Sequence, residues 1–228
     1  DLALGNDYGD YGLYLSSSSS IDIIGNDLRN IRAYAIYLVS VNGSALDRCT
    51  LYNNRVIARS SSARPVYFAS CDYWNVYHNT LLAYSAGEAL YITNSNDLNL
   101  RNNVMAAFDR NAEAMFINNS ANLTSDYNDF YAYGCYLIRQ GGSFRNTLAD
   151  WQSASSQDAN SISVDPRVGG VTDPNTSYYG LVGQGDNLQA DVPVDIDGES
   201  RPAAPTLGAD EYVAAVPQAL SGSYTVPG

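Results

Sequence analysis

Apolar and polar positions repeat along the first half of the chain at an interval of 24 to 28 residues. The clearest marker is an asparagine that recurs with steps of 28, 25, 24 and 25 residues. An apolar residue stands two positions after each asparagine, and another stands five positions before it. Repeats of this length indicate a solenoid, in which each repeat buries its apolar side only against its neighbours. The asparagines are Asn26, Asn54, Asn79, Asn103 and Asn128.

Short runs of β-branched, aliphatic and aromatic residues precede the asparagines and predict strands. They lie at residues 13–15, 36–38, 66–68, 90–92, 115–117 and, less regularly, 136–138. No segment shows helical periodicity over the roughly one dozen residues that a helix needs, so helical repeats are disfavoured. Strands stacked at a fixed period predict a parallel β-helix. Asparagine suits its bend, because it tolerates left-handed backbone angles and its amide bonds to the next asparagine.

Composition excludes several classes of function. The net charge is −12, from 20 Asp, 4 Glu and 12 Arg with no Lys, and no basic stripe is present, so nucleic-acid binding is not expected. No apolar run is long enough to span a membrane. The three cysteines, Cys49, Cys71 and Cys135, form no CxxC motif, which argues against zinc. We expect buried thiols that serve as small apolar side chains, with one disulfide as the alternative.

The period breaks after residue 147, and the sequence beyond it carries motifs in a recognisable order. Asp165-Pro166 comes first, then DIDGESRP at residues 195–202 and GADEY at residues 208–212. In this order they resemble the C-terminal end of secreted bacterial right-handed parallel β-helix proteins, which often end with an Asp-Pro turn, a DxDGxxRP segment and a G-A-x-E-Y strand. The family usually has a large apolar residue after Asp-Pro, whereas this chain has Arg167. The resemblance implies an all-β, right-handed parallel β-helix with an irregular C-terminal cap.

The repeats and the resemblance divide the chain into three predicted parts. Residues 1–147 form the coils of the β-helix, residues 148–212 form the capping segment, and residues 213–228 form a linker with the expected first strand of a following module. The resemblance implies an extracellular or cell-surface location. We therefore expect the partners to be neighbouring modules or copies of the same protein.

The sequence predicts no catalytic residue. Hydrolysis of a glycosidic bond needs two carboxylates at a fixed separation, and lysis needs a base beside an acidic carbon. Asp22 and Asp27 lie on the first coil, but the next coil offers Thr50 and Arg55 in their registers. The sole histidine, His78, is interpreted as a solvated turn residue, with a catalytic base as the alternative.

One aromatic residue per coil is the predicted binding surface. Alternation along each early strand places the ring on the opposite side from the aliphatic pair, so the rings form an outward strip with a spacing of ~4.8 Å. A protein or filament contact, stacking on a glycan, and rings that only cover one another or lie beneath the C-terminal segment all remain open. The strip comprises Tyr14, Tyr37, Tyr67, Tyr91 and Phe116.

Charged side chains offer two weaker binding hypotheses. Arg55 and Arg101 either bind an acidic sugar or are salt-bridged or solvated, and the second interpretation is favoured. The stretch from Asp195 to Gly198 resembles the start of a calcium loop, but the later ligands are missing. Gly5 to Asp10 is another oxygen-rich turn. No metal or cofactor is therefore predicted, with calcium as the alternative.

These features predict a non-catalytic structural or adhesive unit of a large exported bacterial surface or fibre-forming protein. One alternative is a fragment of a carbohydrate-active β-helix, a polysaccharide lyase or hydrolase, whose upstream coils hold the cleft. Another is a glycan-binding module that uses the tyrosine strip.

Overall fold

The computed structural model describes residues 11–60, 63–168 and 179–212, apart from the side chain of Asn30. The predicted linker at 213–228 and the oxygen-rich turn at 5–10 lie outside these ranges. In chain order the strands are β1 (Tyr11–Ser16), β2 (Asp22–Ile24), β3 (Asp27–Ile31), β4 (Tyr34–Val39), β5 (Cys49–Tyr52), β6 (Arg55–Ala58), β7 (Arg64–Ala69), β8 (Trp74–Tyr77), β9 (Thr80–Ala83), β10 (Leu90–Thr93), β11 (Leu98–Arg101), β12 (Val104–Ala107), β13 (Met115–Asn118), β14 (Thr124–Asp126), β15 (Asp129–Ala132), β16 (Ile138–Gln140) and β17 (Ser143–Arg145).

The strands form three sheets, and each of five coils gives one strand to each sheet. The first sheet has the order β1-β4-β7-β10-β13-β16-β17, the second β14-β11-β8-β5-β2, and the third β15-β12-β9-β6-β3. Neighbouring strands are parallel, except that β16 and β17 form an antiparallel pair. The predicted parallel β-solenoid is therefore confirmed, and each parallel pair joins strands about one repeat apart in sequence.

Inward side chains fill the space between the three sheets. Phe68 from the first sheet and Trp74 from the second are fully buried, and their ring centroids lie 5.2 Å apart. The indole N–H of Trp74 donates to the carbonyl oxygen of Val41 at 2.8 Å, so the largest side chain keeps its polar group satisfied. Alternation along each strand produces this interior, because every second residue faces inward.

The third sheet is buried on both faces. Leu81 packs into the interior, while its neighbour Leu82 packs outward against Leu181 and Leu207 of the C-terminal segment. Because both faces are buried, the two central residues of β9 and of β12 are all apolar, and the strands do not alternate between apolar and polar residues there. The C-terminal segment thus covers an apolar sheet face that the coils alone leave open.

The five repeating asparagines stack on one another, as the sequence predicts. The side-chain Nδ2 of each of the first four donates to Oδ1 of the asparagine in the next coil, at 2.9–3.0 Å. Asn79 also donates from Nδ2 to the carbonyl oxygens of Leu51 and Tyr77, and its Oδ1 accepts from the backbone N–H of Asn54. The side chains of the ladder therefore bond the coils to one another where the backbone turns from the second sheet into the third.

The left-handed backbone position lies one residue before each ladder asparagine, which corrects the expectation that the asparagine itself adopts it. The preceding residues have φ between 51° and 66°, and they include His78 and Tyr127 besides two asparagines and a glycine. Asparagine therefore suits the ladder position because of the hydrogen bonds of its side chain, and not because of its backbone angles.

A short helix follows the last strand, where the sequence predicts none. Helix α1 (Leu148–Ser155) begins with a capping box, in which Thr147 accepts from the backbone N–H of Asp150 and Asp150 accepts from that of Thr147. Its eight residues are too few for a periodicity test, so the capping box was the available signal. In the part of the chain that the structure describes, no helix is long and apolar enough to cross a bilayer.

The ladder ends on a buried polar network at the C-terminal end. Asp158 Oδ1 accepts from Ser125 Oγ at 2.9 Å, from Ser161 Oγ at 2.7 Å and from Asn128 Nδ2 at 3.3 Å. Its second oxygen accepts from the indole N–H of Trp151, which α1 buries against the last coil. The donors of the last ladder position are therefore satisfied within the protein.

The sixth run of apolar residues is shifted by two positions from the predicted register. Ile138 pairs with Met115, so Leu137 lies one residue before the pair, as Ala114 does in its own coil. Cys135 is then exposed rather than buried, whereas Cys49 and Cys71 are buried as predicted, and all three thiols are free. The error arose because the turn before β16 differs in length from the turns before it.

Replacing Asn79 by alanine tests the ladder. The change leaves several buried hydrogen-bonding groups without a partner, so we expect a loss of about 3–5 kcal/mol of unfolding free energy. Asn26→Ala is the matched control, because Asn26 is partly exposed and, among the described residues, bonds to one neighbouring coil only. We expect this variant to lose about 1 kcal/mol. Urea unfolding measures both, and equal losses would contradict a cooperative ladder.

Candidate functional site

The predicted aromatic strip forms a single column on the outer face of the first sheet. Its five rings pair in register from coil to coil, and successive ring centroids lie 5.4, 5.0, 4.5 and 4.4 Å apart. These spacings agree with the expected distance between coils, because each ring projects from the same position of its strand. We call this set the aromatic column: Tyr14, Tyr37, Tyr67, Tyr91 and Phe116.

Exposure falls along the aromatic column from its N-terminal end to its C-terminal end. Tyr14 is 52% exposed, whereas Phe116 is only 6% exposed. Arg64 places its guanidinium carbon 4.4 Å from the ring centroid of Tyr91, and Arg139 lies 4.1 Å from that of Phe116. Phe116 is thus not the accessible ring that the sequence predicts, because an arginine covers it.

Two further tyrosines widen the exposed end of the column, and the sequence analysis missed them. The ring of Tyr11 lies 5.5 Å from that of Tyr14 and 5.7 Å from that of Tyr34. The sequence does contain a pattern that could have identified them. In each of the first two coils, a tyrosine stands three residues before the tyrosine of the column. Burial and the neighbouring tyrosines raise the pKa of Tyr67 to about 12, so the middle of the column stays neutral and protonated.

A buried charged cluster lies at the covered end of the column. Glu88 accepts from Arg64 Nε at 2.6 Å and from Arg139 Nη2 at 2.7 Å. Glu113 lies one coil further on, with Oε1 3.4 Å from Arg139 Nε. The two glutamates are 3% and 6% exposed. Glu88 and Glu113 are therefore a pair of buried carboxylates on neighbouring coils, which the registers of Asp22 and Asp27 did not indicate.

The glutamate pair had a visible signal in the sequence. Glu88 and Glu113 are two of only four glutamates, and both precede an alanine and a large apolar residue at the start of an early strand. Burial raises the pKa of Glu113, and the positive charge of Arg139 opposes that rise. Two arginines neutralise the pair and hold it away from solvent, which fits a structural ion cluster better than an acid–base pair that must reach a substrate.

His78 is neither a solvated turn residue nor an accessible base, because the C-terminal segment buries it completely. Asn102 Oδ1 accepts from the backbone N–H of Asp186, so the amide nitrogen of Asn102 donates to His78 Nε2 at 2.9 Å. The imidazole proton therefore sits on Nδ1 and is shared with the carbonyl oxygen of Gly208 at 3.3 Å. Burial, and then the positive charge of Arg201, lower the pKa of His78 well below its usual value.

The terminal motifs lock the C-terminal segment onto the coils. Arg201, from the DxDGxxRP motif, is 2% exposed and donates to Asn53 Oδ1 at 2.9 Å and to the carbonyl oxygen of Ala209 at 3.0 Å. It also pairs with Glu211 of the GADEY motif. Gly208 has φ of 98°, and a Cβ there would lie 2.6 Å from Thr80 Oγ1, so only glycine fits.

An acidic cluster surrounds the loop that resembles a calcium site. Carboxylate oxygens of Asp195, Glu199 and Asp210 lie within 4.8 Å of one another, and these are the described residues best placed to share a cation. Asp195 already accepts from three backbone N–H groups, those of Asp197, Glu199 and Glu211. These hydrogen bonds hold the loop in its shape. The three carboxylates are fewer than the roughly 6–8 oxygen ligands that calcium takes.

The two arginines proposed as acidic-sugar ligands are engaged in ion pairs. Arg55 lies 3.3 Å from both Asp27 and Asp197, and Arg101 lies 2.6 Å from Asp186. The interpretation as salt-bridged residues is therefore confirmed. Both pairs reach residues of the C-terminal segment, so they add to the contact between the segment and the coils.

The single histidine gives a sharp test of the buried cluster. Because the pKa of His78 is lowered in the folded state, stability is complete above an unfolded pKa of about 6.5 and falls as the pH drops below it. Relative to His78→Gln, the wild type should lose about 1.4 kcal/mol between pH 7.5 and 5.5. Imidazole NMR should report a neutral Nδ1–H tautomer across this range. Titration of the folded protein near pH 6.5 would contradict the buried, neutral assignment.

Asp210 should show the opposite dependence on pH. Burial, followed by the negative charges of Asp197 and Asp195, raises the pKa of Asp210 to about 7, so folding holds a proton that the unfolded chain releases above pH ~4. Its contribution to stability is therefore lost as the pH rises through 7. After allowance for solvent screening, Asp210→Asn should be more stable than wild type by about 1 kcal/mol at pH 8 and equal to it near pH 4. Urea unfolding of both proteins at pH 4 and pH 8 measures this difference. If Asp210→Asn is no more stable than the wild type at pH 8, the raised pKa of Asp210 is contradicted.

Comparison with known proteins agrees with this architecture. The family model described as right-handed beta helix region matches residues 5–149, which covers the coils and ends at the second residue of α1. No curated protein and no solved structure matches the chain. The stacked coils are therefore those of a right-handed β-helix, and the chain belongs to the right-handed beta helix region family.

Proposed function

We propose that the chain is a non-catalytic structural or adhesive unit of a large exported bacterial surface or fibre-forming protein. The observation that carries the proposal is the aromatic column, which follows the axis of the coils and becomes exposed at its N-terminal end. There Tyr11 and Tyr14 are 43% and 52% exposed and lie beside each other. Exposed neighbouring rings offer a large contact area at small cost in side-chain entropy, which favours a protein contact.

The arrangement of charged residues supports a role without catalysis. Groups with perturbed pKa values at catalytic sites lie in clefts where a substrate can reach them. Here His78 is fully buried by the C-terminal segment, and Glu88 is held by two arginines. Among the described residues, these side chains contribute to the fold, and none of them is available to move a proton on a substrate.

The proposal that the protein is exported and forms part of a longer surface polypeptide rests on the resemblance of the C-terminal motifs and on composition. The two motifs also have a structural role. Arg201 of the first motif pairs with Glu211 of the second and donates to Asn53 on the coils, which holds the C-terminal segment in place. A net charge of −12 keeps an elongated solenoid soluble and repels like surfaces, so specific contacts must come from uncharged patches such as the tyrosines.

Glycan binding by the same rings is the second candidate, favoured by the exposure of Tyr11 and Tyr14. A fragment of a carbohydrate-active β-helix, whose upstream coils hold the cleft, is the further alternative. Incubation with uronate polymers, followed for unsaturated products, tests that alternative directly.

Two double variants separate adhesion from folding. Tyr11→Ser/Tyr14→Ser removes exposed rings, so we expect less than about 1 kcal/mol of lost stability together with loss of self-association in sedimentation velocity. Tyr67→Ser/Tyr91→Ser is the matched control and removes partly buried rings stacked at 4.5 Å, so we expect a loss of about 2 kcal/mol.

The outcomes distinguish the candidates. Unchanged self-association in the Tyr11/Tyr14 variant would overturn the proposed contact. Loss of binding to a glycan array, without any change in association, would favour the second candidate instead.

A further inference from the structure

Six tyrosines of neighbouring coils form one continuous cluster on the outer face of the first sheet. The centroid of each ring lies at most 5.5 Å from that of another ring in the cluster. We propose that the exposed end of this cluster is a site of oxidative modification, at which a dityrosine bond joins Tyr14 on β1 to Tyr37 on β4. The proposal does not rest on the proposed function, because this bond forms within one chain. The cluster comprises Tyr11, Tyr14, Tyr34, Tyr37, Tyr67 and Tyr91.

The N-terminal end of the tyrosine cluster is open to an oxidant. Tyr14 and Tyr11 are 52% and 43% exposed, whereas the other four rings of the cluster are partly buried. An oxidant that approaches from solvent therefore reaches these two rings first. Water at the same end accepts the phenolic proton that each oxidation releases.

The geometry of the cluster favours one pair of rings for the bond. Tyr14 and Tyr37 pair in register on β1 and β4, with ring centroids 5.4 Å apart and planes tilted by 33°. Of the described ring contacts between these two strands, this one has the shortest distance and the largest tilt. A dityrosine bond joins the edges of two rings and leaves their planes twisted. Tyr67 and Tyr91, with planes only 12° apart, are instead stacked face to face.

Charge keeps the oxidised state at the exposed end of the cluster. The guanidinium carbon of Arg64 lies 4.4 Å from the ring centroid of Tyr91, at the other end. Removing an electron from a ring leaves it electron-deficient, and a nearby positive charge makes that removal more costly. Phe116, the next ring of the column, has no hydroxyl hydrogen to lose and ends the series. The radicals therefore reside at the exposed end.

The oxidant is a peroxide, which a haem peroxidase uses to remove one electron from each of two rings. Each phenol also loses its hydroxyl proton and becomes a neutral phenoxyl radical, with unpaired spin on the ring carbons beside the oxygen. Two such carbons, one from Tyr14 and one from Tyr37, form a carbon–carbon bond. The hydrogen on each of them moves to the phenolic oxygen as the ring regains its aromaticity. One hydrogen peroxide takes up the two electrons and two protons and becomes two waters, and the protein loses two hydrogen atoms.

Treatment of the full chain with a haem peroxidase and hydrogen peroxide, at low protein concentration, tests the proposal. Trypsin cuts after arginine, and Arg29 and Arg32 lie between the two tyrosines, so Tyr14 and Tyr37 fall in separate peptides. We expect mass spectrometry to find these two peptides joined and lighter by two hydrogen atoms. The joined product should migrate as a monomer on a denaturing gel, because the bond lies within one chain.

Phenylalanine variants locate the bond, because they remove the phenol and keep the ring. Tyr37→Phe should abolish the cross-link between the two peptides, and Tyr14→Phe should do the same. Tyr179→Phe is the matched control, since Tyr179 is 74% exposed but its ring lies 6.2 Å from that of Tyr212. This control should leave the yield unchanged, because exposure without a close partner ring does not form the bond.

The cross-linked monomer should also melt at a higher temperature than the untreated protein, because the bond ties β1 to β4 and restricts the unfolded chain. Four results would overturn the proposal. They are the absence of joined peptides, a cross-link that persists in Tyr37→Phe or Tyr14→Phe, dityrosine found mainly at Tyr179, and an unchanged melting temperature.

The contact between chains is measured separately, on protein that has not been oxidised. Untreated Tyr37→Phe retains the exposed rings of Tyr11 and Tyr14, so its sedimentation velocity should equal that of the wild type. Failure of the cross-link within the chain is therefore distinguishable from failure of the proposed contact between chains.

Discussion

Hydrogen bonding between coils is the constraint on which the structure depends, because no coil can satisfy its own backbone or bury its own apolar side. The buried asparagine ladder concentrates this dependence at one corner. Asn54, Asn79 and Asn103 each bond to the coil before and to the coil after, so none of them can be satisfied in an isolated repeat. Stability must therefore rise cooperatively with the number of stacked coils, as a nearest-neighbour solenoid requires.

The C-terminal segment packs against the coils and covers surfaces that the coils leave open. It covers the apolar outer face of the third sheet, buries His78, and places Arg201 against Asn53. Beyond the last coil, Asp158 accepts from Asn128 of the ladder and from the indole of Trp151, so the end of the ladder is hydrogen-bonded within the protein. The third sheet is therefore covered on its outer face, whereas Tyr11 and Tyr14 on the outer face of the first sheet stay exposed.

Sequence periodicity identified what depends on local alternation, and it failed where distant segments meet. The ladder and the tyrosine register followed from spacing alone. The burial of His78 could not, because it depends on Asp186 and Gly208, more than a hundred residues away. Glu88 and Glu113 were visible as a repeated Glu-Ala pair, but their role required the positions of two arginines on other coils. The sixth run was misplaced because turn length, unlike strand alternation, follows no fixed period.

Hydrogen exchange of the asparagine side-chain amides tests the central claim most directly, since it probes the ladder bonds without any substitution. In assigned NMR spectra, the carboxamide protons of Asn54, Asn79 and Asn103 should exchange at least ~100-fold more slowly than those of exposed Asn94 and Asn111. Protection should decrease at Asn26, which has a neighbouring coil on one side only among the described residues. Rapid exchange at all ladder positions would contradict a solenoid held together by these bonds.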